Sequence, residues 1–145
     1  MNRKIGFVAS IVNAVAVCFF AISMLCRFNF GNYFSSMFIA FSFVVLVCAY
    51  AFFADEKRKV AGFVAVAFAA IYAAIILLVY FAQLTVVRSG ELTGQAETLL
   101  DFQKMSLMFD YDLLGYALMA LSTFFAGLTI EPKNKLDKWL KALLT

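Results

Sequence analysis

Apolar residues run in four long blocks, over 5–26, 33–54, 60–87 and 113–130, with short polar segments between them. A bilayer core about 30 Å thick is crossed by roughly 20 helical residues. In lipid each backbone N–H and C=O must be satisfied within its own segment, so spans of this kind form helices. The pattern predicts an all-α fold: an integral membrane four-helix bundle in a single transmembrane domain covering 1–145. The third block, 28 residues long, measures about 42 Å at 1.5 Å per residue. It is expected to tilt or project, with the stretch from Tyr80 to Thr85 rising above the lipid.

Periodicity appears only outside the blocks. The 88–112 loop opens on a turn signal, Arg88-Ser89-Gly90. It then places Leu99, Phe102, Met105 and Phe109 at spacings of three and four, the stripe of a short extracytoplasmic amphipathic helix before the last span. That helix lies on the outer leaflet or over the bundle mouth; the plainer alternative is a connector. In the 131–145 tail, after Glu131-Pro132, the apolar Leu136, Trp139, Leu140 and Leu143 alternate with Lys135, Asp137, Lys138 and Lys141. This predicts a cytoplasmic amphipathic tail helix, or else the start of a further span continuing past Thr145. No internal repeat is visible.

Charge sets the direction of the spans. Arg3, Lys4, Lys57, Arg58, Lys59, Lys133, Lys135, Lys138 and Lys141 fall on one side of the membrane, and only Arg27, Arg88 and Lys104 on the other. Cytoplasmic loops are the Lys- and Arg-rich ones. Both termini are therefore expected in the cytoplasm of a multi-pass protein of the inner or plasma membrane. The N-terminal block has a basic start and Ala14-Val15-Ala16, the form of a cleavage site. It runs on to Cys26 without a polar stretch, so an uncleaved span is expected.

Composition narrows the chemistry. The chain is 65% hydrophobic with a net charge of +3, and its mean hydropathy is +0.92. Its longest charge cluster, Asp55–Lys59, is half neutralised by its own acids, so no nucleic-acid partner is expected. With no histidine, histidine-ligated haem and zinc and the Ser-His and Cys-His nucleophile pairs are excluded. No cofactor or metal is expected. Cys18, Cys26 and Cys48 form no Cys-x-x-Cys pair and read as small core residues.

Helices in lipid associate through small residues that let backbones approach. Two rows at four-residue spacing stand out: Gly6, Ser10, Ala14 and Cys18 in the first span, and Ala61, Ala65, Ala69 and Ala73 in the third. Gly115, Thr123 and Gly127 mark a sparser row in the fourth. These rows are expected to face protein, either within the chain or in a homo-oligomer. The second span is instead an aromatic wall, with Phe34, Phe38, Phe41, Phe43, Phe52 and Phe53.

Two places carry candidate chemistry. Asn13, well inside the first span, is either a contact for a solute or ion or an interhelical hydrogen bond; the row Ala9, Asn13, Val17 and Ala21 favours the second. At the outer mouth, Tyr80, Gln83, Asp110, Tyr111, Asp112 and Tyr116, with Arg27, Arg88 and Lys104 on the same side, outline a small cup for a cation or polar solute. The alternative there is helix capping by Asp112, surface ion pairs and an interfacial aromatic belt. No Asp, Glu, Lys or Arg occupies the middle of a block, where proton-coupled pumps keep their ionisable groups. The leading expectation is a non-enzymatic interaction or accessory subunit whose partners are the lipid bilayer and a second copy or another membrane protein. A channel or facilitator using Ser10, Asn13, Ser42, Tyr72 and Ser122 is the alternative. An enzyme acting on a lipid at the outer leaflet through Asp110 and Asp112 comes last.

Overall fold

The structure, a computed structural model, describes all 145 residues. Four long helices carry the apolar blocks: α1 (Asn2–Leu25), α2 (Asn29–Phe53), α3 (Lys59–Ala82) and α5 (Leu107–Thr129). Each is long and apolar enough to cross a bilayer, and the chain is a multi-pass membrane protein. Two short helices complete it, α4 (Gly94–Leu100) before the last span and α6 (Lys135–Leu144) after it. There are no strands. The overlong third block continues α3 as one π-helical turn, Gln83–Val87.

The helices pack α1 on α2, α2 on α3 and α3 on α5, with α2 touching α5 lightly and α1 having no comparable contact with α3 or α5. The centre is formed by α2, α3 and α5 around Tyr72, Ile76, Val47 and Val79. The α1 helix leans on α2 from one side.

The buried faces are marked by small and polar residues, not by hydrophobicity. In α3 they are Gly62, Ala65, Ala69, Tyr72, Ile76 and Val79; in α5 they are Met108, Asp112, Gly115, Ser122, Ala126 and Thr129. These advance by steps of three and four, the 3.5-residue seam of helices crossing at a shallow angle. Large residues such as Phe63, Leu78, Leu113 and Leu121 are exposed, as lipid-facing side chains should be.

This geometry separates the two four-residue rows. A row at i, i+4 rotates by about 40° per step around a 3.6-residue helix, so four members sweep about 120°. The α3 helix is covered on two sides, and Ala65, Ala69 and Ala73 are buried with Ala61 half-buried. The α1 helix is covered on one side only. Its seam is Gly6, Ala9, Ala16 and Ser23, with Asn13 half-buried between them, while Ser10, Ala14 and Cys18 lie on the outside. Gly6 is the member of that row at the crossing: a Cβ there would stand 3.0 Å from the Ala49 Cβ. Cys18, Cys26 and Cys48 are all exposed on the outer surface, which corrects their reading as core residues. In lipid the outer surface accepts a small apolar thiol as readily as the core does.

Boundaries differ where polar residues extend a helix past its apolar block. The α2 helix starts at Asn29, so Asn29 and Asn32 belong to its first turns. The α5 helix starts at Leu107 and its N-cap is Ser106, whose Oγ accepts from Met108 N at 3.2 Å. Asp112 is therefore inside the helix and caps nothing. The expected loop stripe does not lie on one helix. Leu99 is in α4, Phe102 is in a single 3₁₀ turn (Phe102–Lys104), Met105 takes a left-handed backbone (φ 49°), and Phe109 is in α5.

The end of the bundle carrying the termini is well bonded. The Asn134 side chain and Asp137 form a reciprocal capping box for α6. Arg58 Nη1 donates to Ile130 O at 2.6 Å, where the carbonyls of α5 end. The α6 helix folds back on α5, so that a Cβ on Gly127 would stand 2.9 Å from the Leu144 Cβ.

Candidate functional site

At the opposite end, the four long helices splay around a cavity of about 710 Å³. Pockets of this size hold small molecules. Its wall combines Phe20 and Met24 of α1, Arg27 just beyond it, Asn29, Asn32 and Tyr33 of α2, Tyr80 of α3, Phe102 and Gln103 of the loop, and Asp112 and Tyr116 of α5. Each long helix contributes residues from the turns nearest this end.

The local sequence explains the shape. After Leu25, α1 closes in a Schellman turn: Phe28 N donates to Ser23 O at 2.8 Å and Arg27 N to Met24 O at 3.1 Å. Arg27 takes the left-handed position (φ 54°) that glycine usually fills. The turn brings its side chain to the cavity mouth. Across the mouth, the loop is held down by Gln83. Its Nε2 donates to Leu100 O at 2.7 Å, and its Oε1 accepts from Phe102 N at 3.0 Å. This clamp sets Phe102 against Tyr33, Tyr80 and Phe109, with ring centroids 5.3–6.1 Å apart. Gln103 Nε2 then donates to the Tyr33 hydroxyl at 2.9 Å.

Two side-chain oxygens of residues that line this cavity are buried without a protein partner: Asp112 Oδ1 and Asn32 Oδ1. Asp112 is only 5% exposed. The Tyr80 phenol lies within hydrogen-bonding reach of the Asp112 carboxyl and of Tyr116, and Ser36 within reach of Tyr116. The ion pairs of the chain are Lys59 with Glu56 and Lys104 with Glu97; neither involves Asp112. A carboxylate held out of water with no charged partner and with one oxygen unbonded costs roughly several kcal/mol, so this arrangement is one that native folds avoid without cause.

The sequence-predicted residues divide accordingly. Tyr80, Asp112 and Tyr116 meet at the cavity. Gln83 is buried beside it as the loop clamp. Asp110 and Tyr111 are exposed on the outer side of α5. The two acids, alike in the sequence, thus stand in opposite surroundings. Asn13 is far from the cavity, on the α1–α2 seam, where Nδ2 donates to Ser42 Oγ at 3.0 Å and to Ile39 O at 3.4 Å. Ser122 Oγ donates to Ala65 O at 2.8 Å on the α3–α5 seam, and Ser10 Oγ to Gly6 O of its own helix at 2.8 Å. Asn13 and Ser122 thus bond across two separate seams, and Ser10 bonds within its own helix.

Asn32, Tyr33, Phe102 and Gln103 were not among the expected site residues. Asn29 and Asn32, three apart at the start of the second block, were the available signal. Beginning that span at Tyr33 hid it. A second groove of about 430 Å³, between α1 and α2, is lined by Ile5, Val8, Val12, Phe38 and Val45. It opens sideways onto the outer surface of the bundle. No family model matches the chain, and neither curated proteins nor solved structures give a match.

Proposed function

We propose that this protein is a non-enzymatic, membrane-embedded binding protein that receives a small polar solute in the cavity between α1, α2, α3 and α5. The observation that carries the reading is the buried Asp112 carboxyl, with one oxygen unbonded, in the wall of a cavity large enough for a ligand. The lining lies within the terminal turns of the helices, while deeper in the bundle Asn13 and Ser122 bond across helix seams and Ser10 and Thr123 bond within their own helices. That favours a binding pocket over a continuous path. The uneven distribution of Lys and Arg supports cytoplasmic termini, so the cavity opens to the outside.

Labelling tests this directly. With Cys18, Cys26 and Cys48 replaced by Ala, an Asn32→Cys variant is expected to react with a membrane-impermeant maleimide added to intact cells. Reaction only in inverted vesicles would reverse the orientation. Reaction from neither side would remove the cavity as a solvent-reached site.

A second reading, an interaction subunit, is favoured by one observation: Ser10, Ala14 and Cys18 form a small-residue row on the open side of α1. If α1 pairs with a second copy or another membrane protein there, bis-maleimide treatment of native membranes cross-links the chain through Cys18, and Ala14→Leu abolishes the product. A chain that remains monomeric under cross-linking rules this reading out.

A further inference from the structure

We infer that the ligand of this cavity carries a protonated primary amine on a small aromatic or aliphatic body, with the ammonium bound between Asp112 and Asn32. The inference rests on the binding-pocket reading above and names the class of solute.

The two unpartnered atoms are both acceptors, a carboxylate oxygen and an amide oxygen. What they require is a donor, and one with several N–H bonds satisfies both at once. A cation adds the charge that Asp112 lacks, and charge-assisted hydrogen bonds of this kind are about twice as strong as neutral ones. The helix ends around the cavity largely cancel: α1 and α3 present C-terminal ends and α2 and α5 N-terminal ends. The carboxyl is therefore the dominant negative charge inside the pocket.

The rest of the wall fits the rest of such a molecule. Phe20, Met24, Tyr33, Tyr80, Phe102 and Tyr116 offer apolar and aromatic surface, and ring faces attract an ammonium as well. Arg27 is the only cation on the wall. It is exposed and makes no ion pair with Asp112. It therefore leaves the carboxyl free of an ion pair.

The test uses the full chain in lipid nanodiscs and four probes: phenethylammonium, 2-phenylethanol, phenylacetate and benzyltrimethylammonium. Calorimetric titration is expected to show phenethylammonium binding at least about tenfold more tightly than the neutral alcohol, the anion, or the quaternary ammonium that has no N–H to give. Asp112→Asn, of nearly the same shape, should lose at least about tenfold for phenethylammonium while leaving the alcohol unchanged. Asn32→Leu should lose affinity for phenethylammonium but not for benzyltrimethylammonium. A single cooperative melt and unchanged maleimide labelling at position 32 in an Asp112→Asn background show that the variant is folded. Equal binding of the alcohol and the amine, or full affinity in Asp112→Asn, overturns the amine assignment while labelling at position 32 leaves the pocket standing. Binding of none of the four probes also overturns it.

Discussion

The two ends of this bundle treat their polar groups in opposite ways. At the end carrying the termini, the carbonyl of Ile130, just past α5, is met by Arg58, Asn134 and Asp137 together cap the start of α6, and α6 closes over Gly127. At the other end, one oxygen of a carboxyl and the oxygen of an amide are buried without a hydrogen bond in the wall of a cavity. The helices, their apolar character and their lipid surroundings are the same. The difference teaches that buried polarity in this fold has two uses: bonded, it fixes one helix against another; left free beside a cavity, it marks a place for something else.

Substitutions can break that comparison. The largest effect is expected from Gly62→Leu, near the terminal end. A Cβ there stands 2.9 Å from the Ala51 Cα of α2, which is backbone and cannot step aside. The cost should reach about 3 kcal/mol, seen as loss of folded protein in detergent-titrated unfolding. The next has the opposite sign. Asp112→Asn removes a buried charge that no cation pairs and should stabilise the unliganded protein by about 2 kcal/mol; a destabilised variant would mean that Asp112 is a structural group after all.

Arg58→Gln deprives Ile130 O of its shortest partner and should cost about 1.5 kcal/mol, the low end for a hydrogen bond from a charged group. Unchanged unfolding would show that Lys141, at 3.4 Å from the same oxygen, is sufficient. Gln83→Leu leaves Leu100 O and Phe102 N without their partner. About 1 kcal/mol of local stability should go, read as faster amide exchange over 94–105 with the long helices unaffected. The smallest effect is Asn13→Leu. One interhelical hydrogen bond in lipid is worth about 0.6 kcal/mol, so α1 should loosen slightly from α2 while solute binding stays intact.

Much of this was legible without coordinates. Block length and hydropathy alone predict four spans, because a helix is the only economical way to carry an open backbone through lipid. The turn at Gly90 and the amphipathic tail followed from composition as well. The site was half legible. Tyr80, Asp112 and Tyr116 could be placed at one level because each sits at the end of a block. Asn32 and Gln103 could not, since polar residues at a block's edge look like loop in a hydropathy reading. Asp110 and Asp112 are two residues apart and chemically identical; two positions along a helix turn a side chain by about 200°, which sends one into the cavity and the other outward.

The sequence by itself determined the class, the number of spans and their apolar lengths, since these depend on the free energy of transferring each segment into lipid, a local quantity. It left open which face of each helix is inward, because in lipid both faces are apolar and hydrophobicity gives no direction. Only the tertiary structure decided that. Small residues chose the seams, α1 was left covered on one side, and the packing of α2, α3 and α5 placed Asp112 and Asn32 in the wall of the same cavity.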